Sequence, residues 1–469
     1  MTLTENTAIW TSGATRKDLT PLVVEAIPVR RISSPTGESN EPDAYNTFSM
    51  SYEIGSEGVE IVPFQAEGYS LFGSEPEAPD FSNTIFEDGE GARFSDPTPE
   101  QPMEASKFLS FLRLDPITKE LRSFYKDLEH FHYPLDAMLR TAIYQRLAGL
   151  RHTTQLETKL NNSWNNSVPR NLGFREKSDG MIEIPDRRTI DHFVWKRLGR
   201  TGTSLVLDLM VIELRKNLAR KKIHLGRRIA VDSTPLEGMF GDEDAEYNGH
   251  YEMSMYKVHQ ATCIDTGLSL AKIVSRANDY DGDYLIPLIM KLQRLGISVD
   301  ETIGDQHYGT FNNWARLNIE YGIKTYFNLS KNDTYRYDGT PARLRKQYNS
   351  MWREADYVPE TSIEYILKFL LAHGVIDSVG AYFRNQWFEL KERDPEKWQR
   401  IYDKRTTTER FHSHVKEQLG LERNLRVKGI ESVEIYTNLF WIAEIACALT
   451  RVQNGIKAPL LRANQRDLC

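Results

Sequence analysis

Between Gly226 and Ser330 the apolar pattern of the chain changes from a helical to an extended period, and that change restricts the fold more than any other feature. Upstream, LDAMLRTAIYQRLAGL and TSLVLDLMVIELRKNLA repeat apolar residues three and four apart, as helices with one buried face do. From Gly226 onward, RRIAVDST, MYKVHQATCID and LSLAKIVSRA are three β-rich runs, the last two joined at Asp265-Thr266-Gly267, a hairpin signal. A helical run DYLIPLIMKLQRLG, a strand SVDETIGD, a second helix FNNWARLNIEYG and a strand IKTYFNLS follow. The predicted order is β-β-β-α-β-α-β, three sequential strands and then alternation. It calls for an α/β fold with a mixed sheet flanked by helices.

Charge divides the chain unevenly. Its formal net charge is -7, yet the first 105 residues hold 19 Asp or Glu against 5 Lys or Arg, which leaves +7 on the remaining 364. Lys and Arg that neutralise phosphates supply most non-specific nucleic-acid affinity, so a basic body behind an acidic head points to a polyanionic partner. The same +7 is also an ordinary solvated surface. No uninterrupted apolar run approaches the ~20 residues that cross a bilayer, so no membrane partner is expected. MTLTENTAIW lacks the pattern of a secretory signal, and the scattered Cys263, Cys447 and Cys469 fit a reducing cytosol. A cytoplasmic protein is expected.

Two acids fall at predicted strand ends. Asp232 follows the apolar Ile229-Ala230-Val231, and Asp305 follows Ile303-Gly304 before a turn. Open α/β sheets place ligands at such edges. Either Asp alone is more often a cap or turn residue, but two on neighbouring strands would bring like charges together, which is costly without a cation. A third element is Tyr402, two residues, Arg405, three residues, Glu409, six residues, Lys416. On a helix this spacing puts a carboxylate between two cations on one face. The plain alternative is an exposed helix with an Arg-Glu pair. Upstream, Asp186 is a candidate N-cap for RRTIDHFVWKRLG, whose Arg187, Arg188, Lys196 and Arg197 are either phosphate contacts or a solvated face.

The spacing Y-(2)-R-(3)-E-(6)-K resembles the signature helix of the DDE transposases of prokaryotic insertion sequences, the branch with the Tyr-Arg-Glu-Lys motif. AVDST around Asp232 and IGDQHYG around Asp305 resemble that family's two Asp segments. The similarity runs through YKVHQATCIDTGL, ANDYDGDYLIPLI and RRTIDHFVWKRLG, and covers roughly residues 110–455. The element order is also that of the ribonuclease H-like fold. The resemblance implies a metal triad of Asp232, Asp305 and Glu409, with Tyr402, Arg405 and Lys416 on DNA phosphates. It implies Mg²⁺, replaceable by Mn²⁺, two ions per active site, and partners that are double-stranded: the element's terminal inverted repeats and target DNA, bound by a homodimer. The activity implied is cleavage at element ends and joining of 3'-OH ends to target DNA. In-line phosphodiester hydrolysis agrees with this, since paired divalent cations activate the nucleophile and stabilise the leaving oxygen.

The segments expected are an acidic, partly disordered arm over 1–104, a helical DNA-binding domain over 105–225, and the first part of the catalytic core over 226–330. An insertion subdomain over 331–398, the continued core over 399–455 and a tail over 456–469 complete the chain. Weaker candidates are His307, placed to approach a phosphate or to sit in a turn, and His412 and His414, which lack the cysteine spacing of a transition-metal site. The cluster Glu237, Asp242, Glu243, Asp244 and Glu246 is expected as a solvated loop, and Trp164, Trp195, Trp314, Trp387 and Trp441 mainly as core. Competing readings are a structure-specific nuclease on the same fold and a DNA-binding protein descended from a transposase. A two-carboxylate glycosidase gives the Arg and Lys of the signature no role.

Overall fold

The computed structural model describes residues 104–122, 132–163, 166–328, 339–351, 361–422 and 425–456. The expected acidic arm as far as residue 103, the start of the expected insertion, the tail beyond 456, Trp164 and Cys469 lie outside the described residues.

The strands are β1 (Arg228–Glu237), β2 (Glu246–Asn248), β3 (Met253–Cys263), β4 (Ser269–Arg276), β5 (Glu301–Gly304) and β6 (Lys324–Phe327). All the expected strands form, and the short β2 is an addition. They make one mixed sheet in the order β2-β3-β1-β5-β6, with β4 paired to β3. The antiparallel part follows from short connections: at the β3–β4 turn the Gly267 N–H donates to the Cys263 carbonyl at 2.8 Å, and Gly267 takes φ +74°. The parallel part, β1 with β5 and β5 with β6, follows from helical crossovers. Those crossovers are the helices Leu285–Arg294 and Phe311–Ile319. The first buries Leu285, Leu288, Ile289 and Leu292, and the second is capped by Thr310, whose hydroxyl accepts the Asn313 N–H at 3.1 Å.

Helices surround this sheet. The segment before it contains helices from Ala105–Ser110 to Gly199–Arg220, and Asp186 is an N-cap as expected, its carboxylate accepting the Thr189 N–H at 2.7 Å. The apolar helix Ile430–Asn454 is long and apolar enough to cross a membrane, but 94% of its apolar window is buried in protein. It packs on the helix Gly199–Arg220, where Asn438 donates to the Thr203 and Ser204 hydroxyls at 3.1 and 3.0 Å. The acidic cluster after β1 belongs here too and is not simply solvated. Asp242 is buried and accepts the Tyr256 hydroxyl at 2.8 Å, and Asp244 accepts the Ile430 N–H at 3.0 Å. Together they satisfy orphan donors at the start of the long helix and complement its dipole.

Among the described residues, the helices Pro341–Met351, Ile363–Ala372, Ile376–Arg393 and Pro395–Tyr402 follow β6, the last of them ending at the first signature residue. The helix Ile376–Arg393 docks on β6, the Trp387 indole N–H donating to the Phe327 carbonyl at 2.9 Å. Gly380 faces the start of the helix Phe311–Ile319 so closely that a Cβ there would lie 2.3 Å from the Phe311 carbonyl oxygen.

Candidate active site

Asp232 and Asp305 are placed by one piece of register. The parallel pairing of β1 with β5 ends at Ala230 opposite Ile303, and each acid lies two residues further along its own strand direction. Asp232 does not end its strand, as the sequence suggests. It stays paired with Gln260 of β3, and β1 continues through Pro235 to Glu237. Only the β5 side of β1 has opened, so the missing Pro235 N–H is tolerated there. Asp305 caps the turn Gln306–Tyr308, its carboxylate accepting the His307 N–H at 2.8 Å.

Glu409 comes from the opposite direction. The signature segment is helical throughout but not one α-helix. It runs as α-helix to Tyr402, a 3₁₀ turn over Asp403–Arg405, α-helix over Thr406–Ser413 and π-helix over His414–Gln418. Arg405 joins the acids. Its guanidinium donates to Asp232 Oδ2 at 3.1 Å and to Glu409 Oε1 at 2.5 Å. The Thr408 hydroxyl lies 3.3 Å from the same Asp232 oxygen while donating to the Arg405 carbonyl at 2.8 Å.

Burial pushes the Asp232 carboxyl up to about 6. The Arg405 charge works against this rise, while the charges of Asp305 and Glu409 add to it. The Asp305 carboxyl is also raised, first by burial and further by Asp281, against the opposing effect of His307 and Arg405. These are acids whose ionised forms lack enough positive charge nearby. Among the described residues no three His, Cys, Asp or Glu side chains lie close enough together to hold a metal ion as they stand. A guanidinium takes the central position between Asp232 and Glu409 instead. The donors are all carboxylate oxygens, the set that hard divalent cations prefer, and their uncompensated charge suits such a cation.

The remaining signature residues are oriented by neighbours. Tyr402 stacks on Trp398 at 5.1 Å between ring centroids, and the Arg405 guanidinium carbon lies 6.0 Å from the centre of its ring. Lys416 turns back onto the sheet, donating to the Pro235 carbonyl at 2.8 Å and pairing with Glu422 at 2.5 Å. Arg187, Arg188, Lys196 and Arg197 are exposed on the helical segment before the sheet, on elements separate from the carboxylates. His412 and His414 face inward: burial lowers His412 to about 3, and His414 sits 2.7 Å from the fully buried Glu444. Trp314, Trp387 and Trp441 are core, and Trp195 is half-buried.

Sequence reasoning assigned no role to Asp281, Lys257 or Thr408. Asp281 accepts the Ser233 hydroxyl and the Lys257 ammonium, both at 2.7 Å. Burial works to raise its carboxyl, but these two donors hold it below the usual carboxylate range. The signal was present in the acid-rich DYDGDY before the first crossover helix.

Residues 223–440 match the family model of the transposase DDE domain. That stretch is 218 of the 469 residues. The matched stretch starts just before β1 and ends within the long helix Ile430–Asn454, so it contains Asp232, Asp305, Tyr402, Arg405, Glu409 and Lys416. Arg187, Arg188, Lys196 and Arg197 fall before it. No curated protein matches the sequence. A solved structure described as the cryo-EM structure of piggyBac transposase synaptic complex with hairpin DNA is 12% identical, over 78% of this chain and 84% of that one. Its TM-score of 0.26 is too low to bear on fold or function.

Proposed function

We propose that the protein is the DNA transposase of a prokaryotic insertion sequence, of the branch with the Tyr-Arg-Glu-Lys signature, with a ribonuclease H-like core. It binds the terminal repeats of its element, cuts phosphodiester bonds there and joins the 3'-OH ends to target DNA, acting as a homodimer in the cytoplasm. The observation that carries this reading is that Arg405 bridges Asp232 of β1 and Glu409 of the signature segment, beside Asp305 at the end of the neighbouring β5, within a stretch that matches the transposase DDE domain model. In this reading the three carboxylates would hold two Mg²⁺ ions, or Mn²⁺ in their place, which would supply nucleophile activation and leaving-oxygen stabilisation. Arg405, Tyr402 and Lys416 hold phosphates of the cut strand, Arg405 through a planar fork and Lys416 as a point charge. Arg187, Arg188, Lys196 and Arg197 hold phosphates further along the duplex.

Cleavage and binding measured separately on one end-containing duplex test this. Asp232→Asn, Asp305→Asn and Glu409→Gln should each lower cleavage to background while DNA binding persists, because each removes a metal donor and little DNA contact. Mg²⁺ or Mn²⁺ should support cutting, and Ca²⁺ only binding. Substantial cleavage by any of the three variants, or by the wild type in EDTA, contradicts the reading. Cutting without joining to a target plasmid would make the protein a nuclease.

A further inference from the structure

We propose that Asp281 is a positioning residue that sets the two aspartates of the site in register. This rests on the reading of Asp232 and Asp305 as metal ligands and extends it to a fourth acid that touches neither ion nor DNA.

The links run from Asp281 and its neighbour Gly282, the Asp281 side chain toward β1 and the Gly282 backbone toward β5. Toward β1, its Oδ2 accepts the Ser233 hydroxyl at 2.7 Å, and the Ser233 backbone N–H in turn donates to Asp232 Oδ1 at 3.0 Å. The residue that aims an N–H at the first aspartate is therefore itself anchored by Asp281. Toward β5, the adjacent Gly282 carbonyl accepts the Asn313 amide at 2.8 Å, and the same amide nitrogen donates to the Tyr308 carbonyl at 3.0 Å. Tyr308 closes the turn whose His307 N–H holds Asp305. A Cβ on Gly282 would come within 2.7 Å of the His307 carbonyl oxygen, so the two loops are in backbone contact.

Lys257 makes this arrangement affordable. It bridges Asp281 Oδ1 at 2.7 Å and the Asp279 carbonyl at 3.0 Å, fixing the loop to β3 and neutralising the buried acid. Asp281 is thus already satisfied and is unsuited to be a metal donor. Its charge works through geometry: partners of this kind orient the groups that hold a metal, and removing them commonly weakens metal binding by about 10- to 100-fold.

Ser233→Ala breaks the link to β1 while leaving the Lys257–Asp281 pair in place, and Ser233→Thr keeps a hydroxyl at that position. Four quantities are measured on the full-length protein: Mn²⁺ affinity by electron paramagnetic resonance, end-DNA binding, single-turnover cleavage and melting temperature. For Ser233→Ala, Mn²⁺ affinity and cleavage should each fall by about tenfold or more, with DNA binding and melting temperature unchanged, and Ser233→Thr should restore both. Wild-type Mn²⁺ affinity in Ser233→Ala overturns the proposal. So does a loss that follows a lowered melting temperature and is not restored by threonine. Asp232→Asn in the same assay separates the two readings: if it binds Mn²⁺ like wild type, the metal-ligand reading fails. If it binds none while Ser233→Ala binds normally, only the positioning role fails.

Discussion

Asp232 is buried with a carboxyl raised to about 6, and its behaviour with pH follows from that direction. A carboxyl whose folded value exceeds its unfolded value of about 3.9 holds more protons when folded. It therefore favours the fold most at low pH, and that contribution is lost as the pH rises from about 4 to 6. Wild type and Asp232→Asn should melt alike at pH 4 in EDTA, and the variant should gain about 3 kcal/mol on the wild type by pH 7. A difference that does not change across this range would contradict the assigned burial cost. Arg405 is the counterpart. Replacing it with Ala leaves Asp232 and Glu409 without their shared donor, so the metal-free protein should lose about 1–2 kcal/mol, discounted for its partial exposure. Mg²⁺ should then raise the variant's melting temperature more than the wild type's, since the ion takes over the neutralisation. Equal shifts in thermal melts would show that guanidinium and metal do not compete. Asp232, Asp305, Arg405 and Glu409 stand out in the sequence because each follows from a local rule: an acid after an apolar strand, or a fixed spacing on a helix. Asp281 was not, because its partners Ser233 and Lys257 are 48 and 24 residues away in the chain and meet it only in the folded sheet.

At the scale of elements, strands and crossover helices read well because period and turn chemistry agreed, as at Asp265-Thr266-Gly267. The signature segment read less well. Spacing arithmetic assumes 3.6 residues per turn, whereas the chain tightens to 3₁₀ at Asp403–Arg405 and widens to π at His414–Gln418. That widening accompanies a Lys416 bound to the Pro235 carbonyl of β1. The capping role of Asp242 and Asp244 was equally hidden, since a cap supplied from nearly two hundred residues upstream leaves no local pattern. The contact of the helix Ile376–Arg393 with the start of the helix Phe311–Ile319 gives an element-scale prediction. Gly380→Ala places a methyl against the Phe311 backbone, and the helices must separate. A loss of about 1–3 kcal/mol is expected, a few degrees in a calorimetric melt. An unchanged melting temperature would mean that the two helices are not held at this distance.

For the whole molecule, charge is the property that the sequence states most directly. Glu104 refines where the acidic head ends: its carboxylate accepts the Ser106 and Lys107 N–H groups and caps the helix Ala105–Ser110, so it belongs to the folded body. A truncation should therefore remove residues 1–103 and keep Glu104. The body that remains has 54 Lys and Arg against 48 Asp and Glu, whereas the full chain has 59 against 66. Removing a net negative head changes the sign of the total, and phosphates attract the positive remainder more strongly at long range. The truncated protein should bind non-specific duplex more tightly than the full chain at low salt. The gap should close as ionic strength rises, because the Debye length falls from about 30 Å at 0.01 M to about 8 Å at 0.15 M. Filter binding of both proteins across a salt series decides the matter. Equal affinities at low salt would show that the head does not shield the body, and a selective loss of binding to element ends would make the head part of the recognition surface.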